Sequence, residues 1–298
     1  MAGDSNFDKV SLLLHGDGAN GSTNIIDSSF PKKAISYGSG TVISTAVSKF
    51  GGASIAFNGT SSFLRAAYPG VFNLGSGDFV VEFFCYPTSG GAEDQYLLQL
   101  LGASAQRFYV SRNSSGALSF GFQTGGASPS VYSGSVSAPV NAWTHIALTK
   151  TGSNFRVFVG GASALWISAP AMPAMDCLLE IGAHSMALSN YFLGYLDEVR
   201  ITKGVSRYSA PFTPPTAPFL DYAAQVSGVV RDDTGAPCAR TVRLLHRTTG
   251  ELIGSTTSDA VTGAYTLGAP SLEEVQRIVL DDAGGTLYND IIDRVIPA

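Results

Sequence analysis

The chain has 298 residues, 45% of them hydrophobic and only 14% charged, which excludes a disordered chain and predicts a sizeable core. Its formal net charge of −5 falls entirely after residue 220: residues 1–220 balance to zero, and residues 221–298 carry six arginines, no lysine and eleven acids. Neither part is basic, so binding by phosphate neutralisation, and with it a nucleic-acid partner, is excluded.

No apolar run reaches the ~18 residues of a spanning helix, and membrane insertion is not expected. Met1–Phe7 has neither the basic nor the apolar region of a secretory leader, so no signal peptide is expected. Cys85, Cys177 and Cys238 have no metal-site spacing and are too few and too scattered for a disulfide framework.

In chain order, Val10–Leu14 reads as a first strand and Gly16–Gly21 as a loop. Asn24–Ser29 is a short extended piece. Ala53–Phe57 and Phe63–Ala67 flank Asn58-Gly59, a hairpin dipeptide. Asp78–Pro87 is a strand with Phe79, Val81, Phe83 and Cys85 on one face. Its other face is also largely apolar, which suits a central strand covered on both sides. Tyr96–Leu101, Arg107–Arg112 and Ala117–Gln123 follow as a meander. Asn141–Lys150 pairs with Asn154–Gly161 across Thr151-Gly152-Ser153. Leu165–Ile167, Leu178–Gly182 and Gly194–Ile201 complete at least ten short strands, with no convincing amphipathic helix. The fold class is all-β: a two-sheet jelly-roll sandwich over 1–208. Residues 209–220 hold four prolines and read as an extended linker. Residues 221–298 restart the strand pattern with about seven short runs, expected as a smaller Greek-key β-sandwich.

The last strand of the large domain carries a conflict. Strict alternation puts Tyr195, Asp197, Val199 and Ile201 on one face and Leu196, Glu198, Arg200 and Thr202 on the other. An acid then lies among apolar residues. Either a bulge near Asp197 resets the register, or its carboxylate is buried and paired. Asp197 and Arg200 are therefore expected to be structural, with Asp197 accepting backbone amides or a basic partner.

Three pieces of the first domain resemble the laminin-G-like members of the concanavalin A-like superfamily: Asp78–Pro87, Trp143-Thr-His-Ile-Ala-Leu-Thr-Lys150, and Gly194–Ile201 followed by Val205-Ser-Arg-Tyr208. The opening Val10–Asp17 and Asn24–Ser28 resemble the version found in tailed-bacteriophage virion proteins. The second domain is similar to small immunoglobulin-like or prealbumin-like modules, through Val226–Asp232, Gly235–Pro237 and Gly263–Thr266.

A glycan-cleaving relative would carry carboxylates alternating on one strand. Here Glu82 stands alone, and Asp197 and Glu198 are adjacent, so no enzyme is expected. His145 reads as a packed strand residue. Superfamily members often hold calcium at the rim of the sandwich, which makes Asp17, Asn20 and Asp27, in an oxygen-rich loop, its candidate ligands; a polar turn is the competing reading. Glycan recognition needs exposed aromatics beside polar groups, and Tyr37, Tyr132, Trp166 and Tyr191 are the candidates. The resemblance implies a non-enzymatic virion protein of tail tip, fibre or capsid decoration. Its partners would be other virion proteins and further copies of itself. The alternatives are a carbohydrate-binding host-receptor module and a bacterial or prophage adhesin.

Overall fold

A computed structural model describes residues 3–89, 94–102, 106–123, 130–168, 178–184, 189–280 and 290–298, apart from the side chains of 133–135, 290 and 293. Short β-branched and aromatic runs, interrupted by Gly, Asn and Ser turns, form strands throughout. Among the described residues the helical content is one 3-10 turn, Phe7–Lys9. Two units result. The larger is Lys9–Phe219; the smaller is Leu220–Ala298 with Met1–Asp8. The sequence expectation ran the first domain from 1 to 208. Residues of the N-terminus instead join the smaller unit, where Asp4 N donates to Tyr222 O at 2.9 Å.

The larger unit holds fifteen strands among the described residues. They are β1 (Val10–Leu14), β2 (Ser36–Tyr37), β3 (Val42–Ser44), β4 (Ser54–Asn58), β5 (Leu64–Ala67), β6 (Phe79–Pro87), β7 (Gln95–Leu101) and β8 (Arg107–Arg112). Then come β9 (Ala117–Gln123), β10 (Ser130–Ser137), β11 (Thr144–Thr151), β12 (Asn154–Val159), β13 (Ala162–Ser168), β14 (Leu178–Ile181) and β15 (Leu193–Lys203). They form two antiparallel sheets. The eight-stranded sheet runs β13-β12-β11-β6-β15-β4-β3, with β1 also pairing β15. The seven-stranded sheet runs β10-β9-β8-β7-β14-β5-β2. Between them lies one core that includes Phe79, Phe83, Phe108, Phe155, Leu196 and Val199.

Asn58-Gly59 does not join a hairpin. β4 belongs to the eight-stranded sheet and β5 to the seven-stranded one. Asn58 Oδ1 accepts the amides of Thr60, Ser61 and Ser62, and so folds the chain over from one sheet to the other.

β15 resolves its conflict with a bulge. Its register on β6 shifts between Asp197 and Arg200, and Glu198 takes φ 52° there. Leu196 before the shift and Val199 and Ile201 after it all reach the core. Asp197 and Arg200 leave it together. Arg200 lies opposite Glu82 of β6, and its Nη2 stands 2.7 Å from Glu82 Oε1. Glu82 is fully buried, although its side of the sheet faces away from the core. The cover is the segment after β15. Tyr208 donates to Glu82 Oε2 at 2.8 Å. Phe212 stacks on Tyr208 with centroids 3.7 Å apart, and its amide donates to Gly161 O at 3.0 Å. Phe219 N donates to Glu198 Oε2 at 2.8 Å, and Arg200 packs on the Phe219 ring at 3.6 Å. Residues 209–219 are thus a strap lying along the larger unit, not a free spacer.

The smaller unit has β16 (Ala224–Val229), β17 (Thr241–His246), β18 (Leu252–Thr257), β19 (Ala264–Ala269), β20 (Val275–Leu280) and β21 (Asp290–Val295). β16 pairs β19, and the others form a sheet in the order β18-β17-β20-β21. Val226, Val242, Leu244, Tyr265 and Leu267 make its core.

Burial alone would drive the Glu82 carboxyl up, but Arg200 and His145 outweigh it and hold the pKa at about 2, against an ordinary 4.5. Because the folded value is depressed, this contribution to stability is complete above the ordinary value and fades as pH falls towards 2. Glu82→Gln leaves Arg200 buried without its counter-charge. A loss of about 3–5 kcal/mol in urea unfolding at neutral pH is predicted, and the variant should lose part of the wild-type acid transition.

Candidate functional site

Thr23–Asp27 runs beside Lys32–Tyr37, and the two segments enclose a groove of about 450 Å³. Alternation sets its walls. Ile25 points inward and joins the core, and Ile35 packs against the same core. Ile26 and Tyr37 are left open, with 52% and 47% of their surface exposed. Asp27 fastens both segments from beneath. Its Oδ1 accepts Leu13 N at 3.0 Å and Ser29 N at 2.9 Å. Its Oδ2 accepts Ser29 Oγ at 2.8 Å and Lys33 N at 2.9 Å, with the Lys33 ammonium 3.8 Å away. The second wall is tied further by Ala34 N, which donates to the Tyr68 hydroxyl at 2.6 Å. The Asn24 side-chain carboxamide and the Lys32 ammonium are exposed and have no hydrogen-bond or ion-pair partner among the described residues, while the Asn24 backbone amide donates to Ser22 Oγ at 3.1 Å. The groove therefore offers an aromatic face, an apolar side chain, an amide and a cation together.

The four candidate aromatics do not converge. β2, which carries Tyr37, and β10, which carries Tyr132, are the two outermost strands of the seven-stranded sheet. Tyr132 is half-buried with its ring on Phe122 at 6.2 Å. Trp166 is 65% exposed on the edge strand β13 of the other sheet, with Arg156 over its ring at 5.9 Å. Tyr191 is half-buried just before β15.

The calcium set divides in the same way. Asp27 spends its lone pairs on the protein, so it is a fastener and not an available ligand. Asn20 Oδ1 accepts Thr45 N at 3.1 Å. Asp17 is exposed and lies instead against the 49–51 turn. Among the described residues no group of three His, Cys, Asp or Glu side chains could hold a metal.

Both sheets carry buried charge that single-strand reading misses. On the eight-stranded sheet, His145 Nε2 stands 3.4 Å from Glu82 Oε2, beside the Arg200 pair. On the seven-stranded sheet, Glu180 is buried and takes Arg65 Nη2 at 2.7 Å and Gln99 Nε2 at 2.9 Å. Nearby, Arg107 Nη1 donates to His184 Nε2 at 2.7 Å, which requires a neutral imidazole. Burial first, and then the Arg107 charge, hold that imidazole below its ordinary pKa. The one sequence signal for these groups is a lone charge inside an apolar strand, met by an opposite lone charge in another.

Comparison with known families gives one match: the Laminin_G_3 family, described as the concanavalin A-like lectin/glucanases superfamily, covers residues 58–206, which is half of the chain. The chain belongs to this superfamily. The matched span includes β5 to β15, and with them Glu82, His145 and Arg200, while Tyr208 and the strap that cover Glu82 lie beyond it. No curated protein sequence matches the chain. Among solved structures, this superfamily member is similar to the binding domain of botulinum neurotoxin DC, solved in complex with rat synaptotagmin II. The TM-score is 0.51 at 10% identity, over 97% of this chain and 70% of that one. It is also similar to the botulinum neurotoxin serotype D binding domain, with TM-score 0.51 at 12% identity. That likeness covers 68% of this chain and spans about half, 49%, of the neurotoxin domain. At these identities the likeness is one of fold.

Asp27→Ala removes the acceptor for three backbone amides. A loss of about 3 kcal/mol in urea unfolding is predicted, in the range for hydrogen bonds to a charged group whose partners stay buried. Asp27→Asn, which keeps one acceptor oxygen, should lose less.

Proposed function

We propose that the protein is a non-enzymatic binding module that takes a glycan in the Tyr37 groove and is carried on a bacteriophage particle. One observation carries the glycan reading: an open tyrosine ring, an open isoleucine, a free amide and a free ammonium line a single groove. A sugar presents an apolar C–H face to such a ring and hydroxyls or a charge to the polar groups. Its membership of a superfamily of lectins and glucanases supports the same chemistry. So does its resemblance in fold to domains named as binding domains.

The non-catalytic reading is supported by how the acids are used. Glu82 is sealed under the strap, and Glu180 is bonded to Arg65 and Gln99. Glu198 Oε1 lies 2.8 Å from His15 Nδ1 and its Oε2 accepts Phe219 N. Carboxylates committed in this way are not poised across a glycosidic bond. The virion reading is supported by the phage-like opening Val10–Asp17, by Asn24–Ser28 and by the pairing with a small acidic second domain. In that setting the larger unit is the adhesive part, and the smaller, immunoglobulin-like or prealbumin-like unit attaches it to other virion proteins.

The test is binding to purified host-surface polysaccharides by calorimetry. Tyr37→Ala should weaken binding about tenfold or more, the loss expected of one aromatic stacking contact and its surroundings. Its far-ultraviolet circular dichroism should be unchanged, and Trp166→Ala should bind as wild type does. No binding to any host polysaccharide, or full binding by Tyr37→Ala, would contradict the glycan reading. Absence of the chain from purified particles would contradict the virion setting.

A further inference from the structure

The four-stranded sheet of the smaller unit keeps one face in its core and leaves the other bare. Val242, Leu244, Val275 and Val279 point into the core, and Ile253 and Val295 pack against them. Period-2 alternation turns the residues between them to the opposite face. There Arg243 of β17 lies opposite Ser255 of β18 and Ile278 of β20, and Ile278 lies opposite Ile291 of β21. On one side of that row Leu245 is opposite Leu252, and on the other Thr241 is opposite Leu280. Leu252 and Ile291, on the two edge strands, are 51% and 56% exposed. Leu245, Ile278 and Leu280 are half-buried. A solvated face of an antiparallel sheet ordinarily carries polar residues, and five aliphatic side chains gathered on one mark a contact surface.

The charges decide what it contacts. Arg243 stands at the centre of the face, exposed, with no hydrogen-bond or ion-pair partner among the described residues. Two positions beyond Leu245, Arg247 Nη1 stands 3.8 Å from Glu274 Oε2, and Arg294 Nε shares the same oxygen at 3.8 Å. Three of the six arginines of residues 221–298 thus gather on or beside this face with one described acid, in a stretch that carries eleven acids in all. Two copies meeting through this face alone would bring like charges together, which is costly at a contact. The complement is a surface that is acidic and partly apolar. One exists elsewhere in the same unit, where Asp8, Ala223, Leu272 and Glu273 line a pocket of about 530 Å³. Leu272 is 70% exposed. The Glu273 carboxylate is also exposed and has no hydrogen-bond or ion-pair partner among the described residues. Among the described residues no lysine or arginine lines the pocket.

We propose that the smaller unit binds a second copy of this chain head to tail, with the Arg243 face of one copy on the Leu272–Glu273 pocket of the next. Leu252, Ile278 and Ile291 supply apolar contact around the guanidinium, and Leu272 and Ala223 meet them from the other copy. Arg243 and Glu273 pair across the contact, and the aliphatic groups around them exclude water and strengthen the attraction. The two surfaces differ, so the contact is heterologous. It repeats from copy to copy into a ring or a chain, whereas a self-matched surface stops at a pair. The proposal rests neither on the glycan reading nor on the virion setting.

The test is the average mass of the full-length protein by analytical ultracentrifugation, from about 1 to about 100 μM, the range of weak contacts. In about 50 mM salt the mass should rise with concentration past that of two copies, and in about 500 mM salt it should fall back as the charges are screened. Arg243→Glu and Glu273→Arg each change an exposed side chain. Both should fold with unchanged far-ultraviolet circular dichroism, and each should weaken association about tenfold or more. An equimolar mixture of the two variants should assemble again, because each offers the charge the other lacks. A wild-type chain that stays monomeric up to about 100 μM overturns the proposal. So does association that survives either reversal, that is not restored on mixing, or that stops at two copies, which assigns the contact to a self-matched surface.

Discussion

The larger unit depends on one strand carrying three charges through the middle of an apolar sandwich. β15 is the longest strand of that unit and pairs with β1, β4 and β6. Asp197, Glu198 and Arg200 are all buried within it. A regular strand would drive one of them into the core. The bulge at Glu198 avoids this, and its cost in backbone strain is offset because each charge then meets a partner. Arg200 meets Glu82, Glu198 meets His15 and the strap, and Asp197 meets the 49–51 turn. Three distant parts of the chain are thereby fixed to the last strand laid down. Net stabilisation from each pair over an apolar replacement is not implied by this, since desolvation cancels much of the attraction. What the pairs supply is a penalty on every other register.

The strap follows from the same arrangement. Glu82 would be an exposed acid on the outer face of the sheet were it not covered by Tyr208, Phe212 and Phe219. Covering it removes water and strengthens the pair with Arg200. Tyr208 then has to bring its own hydrogen bond, and its hydroxyl is pushed well above the ordinary phenol range, by burial first and then by the neighbouring Glu82 charge. The prolines from Pro211 to Pro218 keep this segment extended, so that Phe212 and Phe219 land on fixed points instead of lying in a helix of their own.

Much of this was legible before any coordinates. Alternating apolar residues placed β6 at the centre of a sheet and assigned its faces, because period-2 patterning is a local property. The acid on the wrong face of Gly194–Ile201 announced a bulge or a buried, bonded carboxylate; the bulge is present, and Asp197 is buried and accepts the amides of Lys49 and Phe50. Partnership over long separations was not legible. Glu82 and Arg200 are 118 positions apart, and nothing in either strand names the other. Asn58-Gly59 was legible as a turn but not as a passage between sheets, since a turn dipeptide fixes the local backbone and not the strands on either side. The Pro-rich stretch looked like a linker because its two rings, Phe212 and Phe219, are counted as ordinary residues until the surface they cover is known. At the candidate site, Tyr37 was legible as an aromatic in a polar setting. Its neighbours Ile26 and Lys32 were not, and Asp27 stood as a candidate metal ligand beside the polar-turn reading, because oxygen-rich loops do not show which oxygens are already spoken for.

The central claim is that Glu82 and Arg200 are coupled across β6 and β15 and hold the last strand in register. A double-mutant cycle with Glu82→Gln and Arg200→Met, followed by urea unfolding, measures that coupling directly. The account predicts that each single change is costly and that the double change costs much less than their sum, with an interaction energy of about 2–3 kcal/mol or more. Additive losses, with an interaction energy near zero, would contradict it.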